Sequence, residues 1–457
     1  MMYRSISVFI GAVFAVVLSL IGAVPSATQA SDLPDYVIEQ FGTPPPVPEG
    51  PLSDELRAAI QTAIIDTIVE GEWDPNKEDV LLEIGASGDP RVAWVISDIL
   101  RFTRSYELNI WFSRAAAETL GIETPGQNFW GVITDHLIAW DIPAPPEYLD
   151  MKRTMFTAVL PNIERIFAEG DVDWRHVSWG GVLIDDRPME ATDDPCNCIP
   201  AADNPEVESA ENAWLEEDQV VFGIVVNGQA RAYPRSIMEV REMVNDTLGG
   251  RDLGIPYCTL CGAAQAYFTD DLPEGVERPI LRTSGLLSRS NKVMYDLNTY
   301  SVFDTFLGKA LTGPLAEKGV VLKQASVVTT TWGEWKAAHP DTTVLKERYA
   351  LGRDPDFRNT RDANGPIFPV GDVDPRLSVH EDVIGVITAS GTPVAFQRTA
   401  AMLALQNGEE ITFENVHLEL DGGGVKAVDA DGSDIGSHQA FWFAWSQFYP
   451  DTELWSG

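Results

Sequence analysis

The hydrophobic period changes once along this chain, near Asp171, and that change constrains the fold more than any single motif. Before it, apolar residues recur at helical spacing. Leu56, Ala59, Ile60, Ala63, Ile64 and Ile68 form one stripe between Ser53 and Glu70, with Ser53 placed to cap the helix. Asp89-Pro90 has the cap-then-proline order that opens a second helix, burying Val92, Val95, Ile96, Ile99 and Leu100. Further helices are expected over Ser113 to Leu120, stopped by Gly121, over Phe129 to Trp140, and over Pro146 to Ala168 with a kink near Pro161. Beyond Asp171, runs at Trp174 to Ile184, Gln219 to Val226, Arg231 to Tyr233 and Val320 to Thr331 read as strands. Asn227-Gly228 predicts a type I′ hairpin, because both residues accept positive φ. The fold class expected is α+β: an N-terminal helical-hairpin region, loosely like a HEAT-type stack, then a mainly antiparallel sheet domain.

A partial internal repeat is expected as well. Trp332-Gly333-Glu334-Trp335 leading to Pro340-Asp341-Thr342 recurs at the same spacing as Trp442-Phe443-Ala444-Trp445 leading to Pro450-Asp451-Thr452. A similar hairpin precedes each copy, and the tail lacks cysteines, so Trp332 and Trp335 read as core. The organisation expected is a leader over 1–30, a helical region over 31–170, and a cysteine-bearing α+β domain over 171–353. A connector over 354–381 and a shortened second copy over 382–457 complete it.

The leader rests on a basic start at Arg4, an apolar run from Ile6 to Val24, and small residues at Thr28 and Ala30. These suit export and cleavage, so the protein is expected to be periplasmic or extracellular. A net charge of −37 over 457 residues opposes approach to nucleic acid or anionic membranes. The partner expected is a small molecule or another protein, with no nucleic acid and no membrane after cleavage. Asp372-Val373-Asp374 lacks the spaced oxygens of a recognised calcium loop. His136 and His339 read as structural.

Four cysteines occur, as Cys196-Asn197-Cys198 and Cys258-Thr259-Leu260-Cys261. Three readings stay open from spacing alone. All four sulfurs can hold copper or zinc. They can be disulfides joining Cys196 or Cys198 to Cys258 or Cys261, as an oxidising compartment permits. Or Cys258 and Cys261 can cycle between dithiol and disulfide. No nucleophile elbow, zinc-protease helix, phosphate loop or dinucleotide fingerprint is found.

Several ordered blocks resemble one bacterial family, the domain of unknown function 3179. They are Val226-Asn227-Gly228-Gln229-Ala230-Arg231-Ala232-Tyr233-Pro234, Val244-Asn245-Asp246-Thr247-Leu248-Gly249-Gly250, Tyr257 to Gly262, Thr283 to Leu287, Asn291 to Asp296, and the Trp332 to Thr342 segment. Together they span about Asp185 to Leu345. The resemblance implies a family and no reaction, and it places Tyr257 to Gly262 in the family's most recognisable block. It departs at Arg241, where relatives often carry histidine; a guanidinium offers no lone pair to replace it.

Polar residues around that block complete the candidate site. Glu242 or Asp246 is expected as base or supporting partner, Tyr295 as proton donor, and Arg241 or Lys292 as holder of an anionic group. Asn245, Ser284, Ser288, Asn291 and Asp296 are expected as substrate or supporting contacts. The function expected is an exported metal-binding protein with copper or zinc at Cys258 and Cys261, and as a finer expectation a redox enzyme. Cys196 and Cys198 either complete the site or are bridged. The alternatives are a disulfide-stapled scaffold and a thiol-disulfide oxidoreductase.

Overall fold

A computed structural model describes residues 33–191, 196–348 and 365–457. The expected leader and the first part of the expected connector lie outside them. Helices dominate up to residue 159 and small sheets thereafter, so the α+β expectation holds at that level. No described helix is long and apolar enough to cross a membrane.

Local signals set most helix ends. The Ser53 hydroxyl accepts from the Leu56 N–H, and the helix it opens runs to Glu70 through one wider turn at Gln61–Ile65. Asp89 accepts from the Arg91 N–H with Pro90 in the first turn, and the chain runs into Ala93–Leu100. Gly121, with φ of 67°, ends Tyr106–Leu120, whose start at Ser105 lies eight residues ahead of the Ser113 expected. The kinked helix over Pro146 to Ala168 is corrected. Tyr148–Val159 stops before Leu160, because Pro161 has no N–H to continue the ladder, and only a short turn at Glu164–Ile166 follows. The helical core continues into the next sheet: Trp94, Phe156 and Phe167 share one apolar cluster with Val177, Leu286, Val293 and Tyr295.

Five small sheets follow, arranged as a propeller-like ring. They are mainly antiparallel. The hairpin Val220–Val226 with Gln229–Pro234 turns at Asn227 and Gly228, both at positive φ as expected. Of the stretch expected as a strand over Trp174 to Ile184, only Val177–Trp179 forms a strand; Gly180 and Gly181 break it, and Leu183 beyond them makes a single bridge to Cys198. The run over Val320 to Thr331 divides into Lys323–Ala325 and Val328–Thr331, which join different sheets.

Two of the sheets share one plan. In the first, Val328–Thr331, Val220–Val226, Gln229–Pro234 and Thr343–Leu345 lie side by side; in the second, Ser437–Phe441, Asp382–Ile387, Pro393–Gln397 and Glu453–Trp455 do. The last strand of each four runs parallel to its neighbour. A helix follows the first strand of each four, Trp332–Ala338 and Trp442–Phe448. Its second tryptophan lies flat on a strand glycine: a Cβ at Gly223 would stand 2.3 Å from the Trp335 ring, and one at Gly385 2.0 Å from the Trp445 ring. Each indole N–H donates to a threonine hydroxyl, Thr342 at 3.0 Å and Thr452 at 2.8 Å.

Candidate functional site

The strand Arg251–Cys258 ends at the first thiol of the C-x-x-C block. The turn that follows, with Gly262 at φ of 62°, brings the chain back so that Cys258 pairs with Ala263 and Tyr257 with Ala264. This fold-back sets the two sulfurs 3.1 Å apart, as free thiols. A second tight turn faces the first. Arg289, at φ of 53°, joins Leu281–Ser288 to Asn291–Asp296 and points the Ser290 carbonyl at both thiols, 3.5 Å from each. The Asn291 Oδ1 lies 3.7 Å from the Cys261 sulfur. From the tail, the Phe441 N–H donates to the Cys261 carbonyl at 2.8 Å, and Phe441 and Trp442 join the apolar cluster around both cysteines.

The two thiols are not equivalent. Burial and the nearby Glu242 carboxylate push the Cys258 thiol up, but the Cys261 thiol, the Lys292 N–H and the Lys292 ammonium stabilise the thiolate, and the net shift is downward. Burial and then the neighbouring Cys258 sulfur push the Cys261 thiol well up. Cys258 also lines a cavity of about 300 Å³, whereas Cys261 lies behind it. The cavity wall is mostly apolar, with Val182, Ile199, Leu286, Leu287 and Phe368 among its residues, and its polar members include Glu239, Glu242, Thr259 and Lys292.

Glu242 earns its place through backbone geometry. The helix Arg235–Arg241 ends on it at φ of 49°, a left-handed conformation that side chains other than glycine adopt at a cost. Its carboxylate lies 3.3 Å from the Lys292 ammonium and accepts from the Thr259 hydroxyl at 3.5 Å. Lys292 is 4% exposed and also donates to the carbonyls of Glu242 and, at 3.2 Å, Tyr257. The ammonium therefore ties the helix end, the cysteine strand and the facing hairpin together beside Cys258. Lys292 is a counter-charge within the wall rather than the anion holder expected.

Of the other expected site residues, Ser284 lines the same cavity, with its hydroxyl spent on the Val293 carbonyl at 2.6 Å. Ser288 and Asn291 line a second cavity of about 220 Å³ on the other side of Lys292 and Val293. Five residues are placed elsewhere. Asp246 accepts from Arg231 at 2.6 Å and the Tyr233 hydroxyl at 2.8 Å, which occupies it as the anchor of a hairpin and corrects its role as base. Tyr295 donates to the Asp185 carbonyl at 2.7 Å, and burial raises its pKa, so it is corrected as a proton donor. Arg241 makes a forked pair with Glu347, at 2.8 and 3.1 Å, instead of facing an anionic ligand. Asn245 bonds Asp203 and both backbone groups of Leu281, stitching two sheets. Asp296 likewise accepts from Ile280 and Thr299.

Cys196 and Cys198 are bonded to each other. Neither the four-sulfur site nor the expected cross-links to Cys258 or Cys261 are present, because each sulfur of the C-x-C pair is already used. Asp185, Cys196 and Cys198 do bring ligand-type atoms within 4.8 Å of one another, the one such group among the described residues. As a metal site it is opposed by the disulfide, which offers no thiolate, and by Arg187, which grips the Asp185 carboxylate at 2.6 and 2.9 Å. Asp372 and Asp374 accept from Tyr36 and Arg376. His136 bonds the Val132 carbonyl one helical turn back, and His339 bonds Asp421 at 2.7 Å.

Sequence reasoning missed Glu239, Thr259 and Phe368 in the cavity wall. Glu239 precedes Glu242 by one helical turn, and that spacing was a usable signal. Phe368 comes from a stretch without periodicity and carried none.

No curated protein and no solved structure matches the chain. A family model described as "Protein of unknown function (DUF3179)" matches residues 196–431, which extends past Leu345 into the tail. With just over half of its 457 residues matched, the chain belongs to this family.

Proposed function

We propose that Cys258 and Cys261 form a redox-active dithiol that exchanges with a disulfide bound in the 300 Å³ cavity. The observation that carries this reading is the asymmetry of the pair: two thiols 3.1 Å apart, with the acidified one on the cavity and the other behind it. The Cys258 thiolate attacks one sulfur of the bound disulfide, forming a mixed disulfide and releasing the other half as a thiolate. Cys261, after giving up its proton, attacks the Cys258 sulfur and releases the second half. The protein then holds a Cys258–Cys261 disulfide, and the ligand has taken two electrons as two thiols; the reverse sequence oxidises thiols. The tail shields the outcome from solvent by packing on the Cys261 turn.

A second reading, a soft metal ion such as monovalent copper or zinc, is favoured by one observation. Both sulfurs converge on one point with the Asn291 Oδ1 beside them. Equilibration of metal-stripped protein in dithiothreitol buffers, with alkylation read by mass spectrometry, separates the two. The dithiol reading expects Cys258 and Cys261 to oxidise together in one two-electron transition without metal. Thiols that stay reduced across the range, but become protected on adding one copper or zinc, would replace it with the metal reading.

We also propose export, supported by the basic and apolar leader and by the Cys196–Cys198 disulfide, which suits an oxidising compartment. The shared plan of the two tryptophan-bearing sheets supports reading the tail as a second copy of one unit, which carries no thiols and covers the site. The helical region would then brace the first sheet through the core that the two share.

A further inference from the structure

Every charged group on the wall of the Cys258 cavity has a partner of opposite sign: Glu242 has Lys292, and Glu239 has Arg235 at 3.6 Å. Just beyond the wall one cation does not. Arg101, on the turn after the helix Ala93–Leu100, sends two guanidinium nitrogens to a single carbonyl, that of Trp179, at 2.8 and 2.6 Å. Its remaining nitrogen makes no hydrogen bond, and no carboxylate pairs with it, among the described residues. Burial alone lowers its pKa, to about 10, so it stays charged at neutral pH.

Its surroundings are shaped for a planar group. The guanidinium stacks 4.1 Å from the Trp130 ring and 5.1 Å from the Phe368 ring, and those rings meet edge-on at 5.4 Å. The Trp130 indole N–H is enclosed and has no acceptor. An enclosed donor without an acceptor is costly, which makes it a place for an acceptor to arrive. Phe368 is also part of the cavity wall, as is Gly180, next to the carbonyl that Arg101 holds. A free guanidinium edge and an unspent indole N–H thus lie together on the aromatic shoulder of the cavity that Cys258 opens into.

We propose that Arg101 and Trp130 form an anion subsite, and that the molecule exchanging with Cys258 is a small organic disulfide or thiol bearing a carboxylate. This rests on the dithiol reading. The helical region then has a part in recognition, since both residues belong to it. The carboxylate takes the open guanidinium edge and the indole N–H, while the apolar stem lies along Leu286, Leu287 and Phe368 towards the sulfur.

Two probes separate the subsite from the redox step. Suberate, the carbon analogue of 3,3′-dithiodipropionate, has the carboxylates and no sulfur. It should raise the melting temperature of the full chain, and R101Q should abolish that shift while W130F, which keeps an aromatic ring under Arg101 but removes the indole N–H with its five-membered ring, weakens it. In the second assay the Cys258–Cys261 dithiol is oxidised by 3,3′-dithiodipropionate or by the neutral 2-hydroxyethyl disulfide. The ratio of the two rates should fall by about 10- to 100-fold in R101Q, the worth of one charge-assisted hydrogen bond. A suberate shift that survives in both variants, or none in the wild type, overturns the subsite and leaves Arg101 as a tether for the Trp179 carbonyl. A suberate shift that depends on Arg101, with thiols that no disulfide oxidises, sustains the subsite and overturns the redox assignment. If R101Q does not fold, W130F carries the test.

Discussion

Replacing Lys292 with methionine tests how the site is held together and how its thiol is tuned. Lys292 and Glu242 are 4% and 6% exposed, and their charged groups lie 3.3 Å apart. Methionine keeps most of the side-chain volume but removes the ammonium that also serves the carbonyls of Glu242 and Tyr257. A buried carboxylate deprived of such a counter-charge costs about 3–5 kcal/mol, a large part of the whole stability of an ordinary domain. Urea denaturation at pH 7 should show that loss. E242Q/K292M, which removes both charges together, should recover most of it, because replacing a buried pair by neutral groups is near neutral. The thiol provides an independent readout. Lys292 lowers the Cys258 pKa through its N–H and its ammonium, and K292M removes only the second, so the midpoint of iodoacetamide alkylation at Cys258 should move to higher pH. A stability loss below about 1 kcal/mol, with an unmoved alkylation midpoint, would refute the reasoning on both counts.

Two further perturbations address the frame. Gly223→Ala and Gly385→Ala each put a methyl within 2.3 Å of a tryptophan ring, so each should destabilise by about 1–3 kcal/mol or more in urea titrations. A neutral outcome at both would mean that the rings do not rest on the glycines. The pH dependence has a defined sign. Burial raises Asp135 from 3.8 to about 6, despite its acceptance of the Val370 and Gly371 N–H groups, and raises Asp304 similarly. Folding therefore favours their protonated forms: that contribution is full below about pH 3.8 and is lost as pH rises through about 6. D135N should flatten thermal stability across that window, and an unchanged slope would remove Asp135 from the explanation.

What the sequence disclosed was local. The Ser53 cap, the Asp89-Pro90 helix start and the Asn227-Gly228 turn each depend on residues within a few positions, and each is found where the spacing puts it. The nearness of Cys258 and Cys261 follows from one tight turn, so the pair was visible too. Partners far apart in sequence were not. Asp246 looked available because Arg231 and Tyr233 sit on a strand of the neighbouring sheet, across the helix Arg235–Arg241, and Arg241 looked free because Glu347 is 106 residues away. The same holds for Lys292, whose carboxylate partner comes from the end of a helix 50 residues earlier. Cys196 and Cys198 carry only two residues of separation, and nothing in that spacing distinguishes a bond between them from a bond to the second pair. Arg101 gave no signal, since a helical arginine reads as solvated until the Trp130 and Phe368 rings are known to enclose it.

The division of labour between the two thiols can be tested most directly by trapping. C261S and C258S are each reduced, freed of metal, and mixed with 2-hydroxyethyl disulfide, and the intact mass is read over time. The account predicts that C261S accumulates a stable mixed disulfide at Cys258, because the thiol on the cavity attacks and nothing resolves the product. C258S should stay unmodified at Cys261 on the same time scale. Equal labelling of both variants, or labelling of C258S alone, would contradict the assignment of Cys258 as the attacking thiol, and with it the proposed dithiol chemistry.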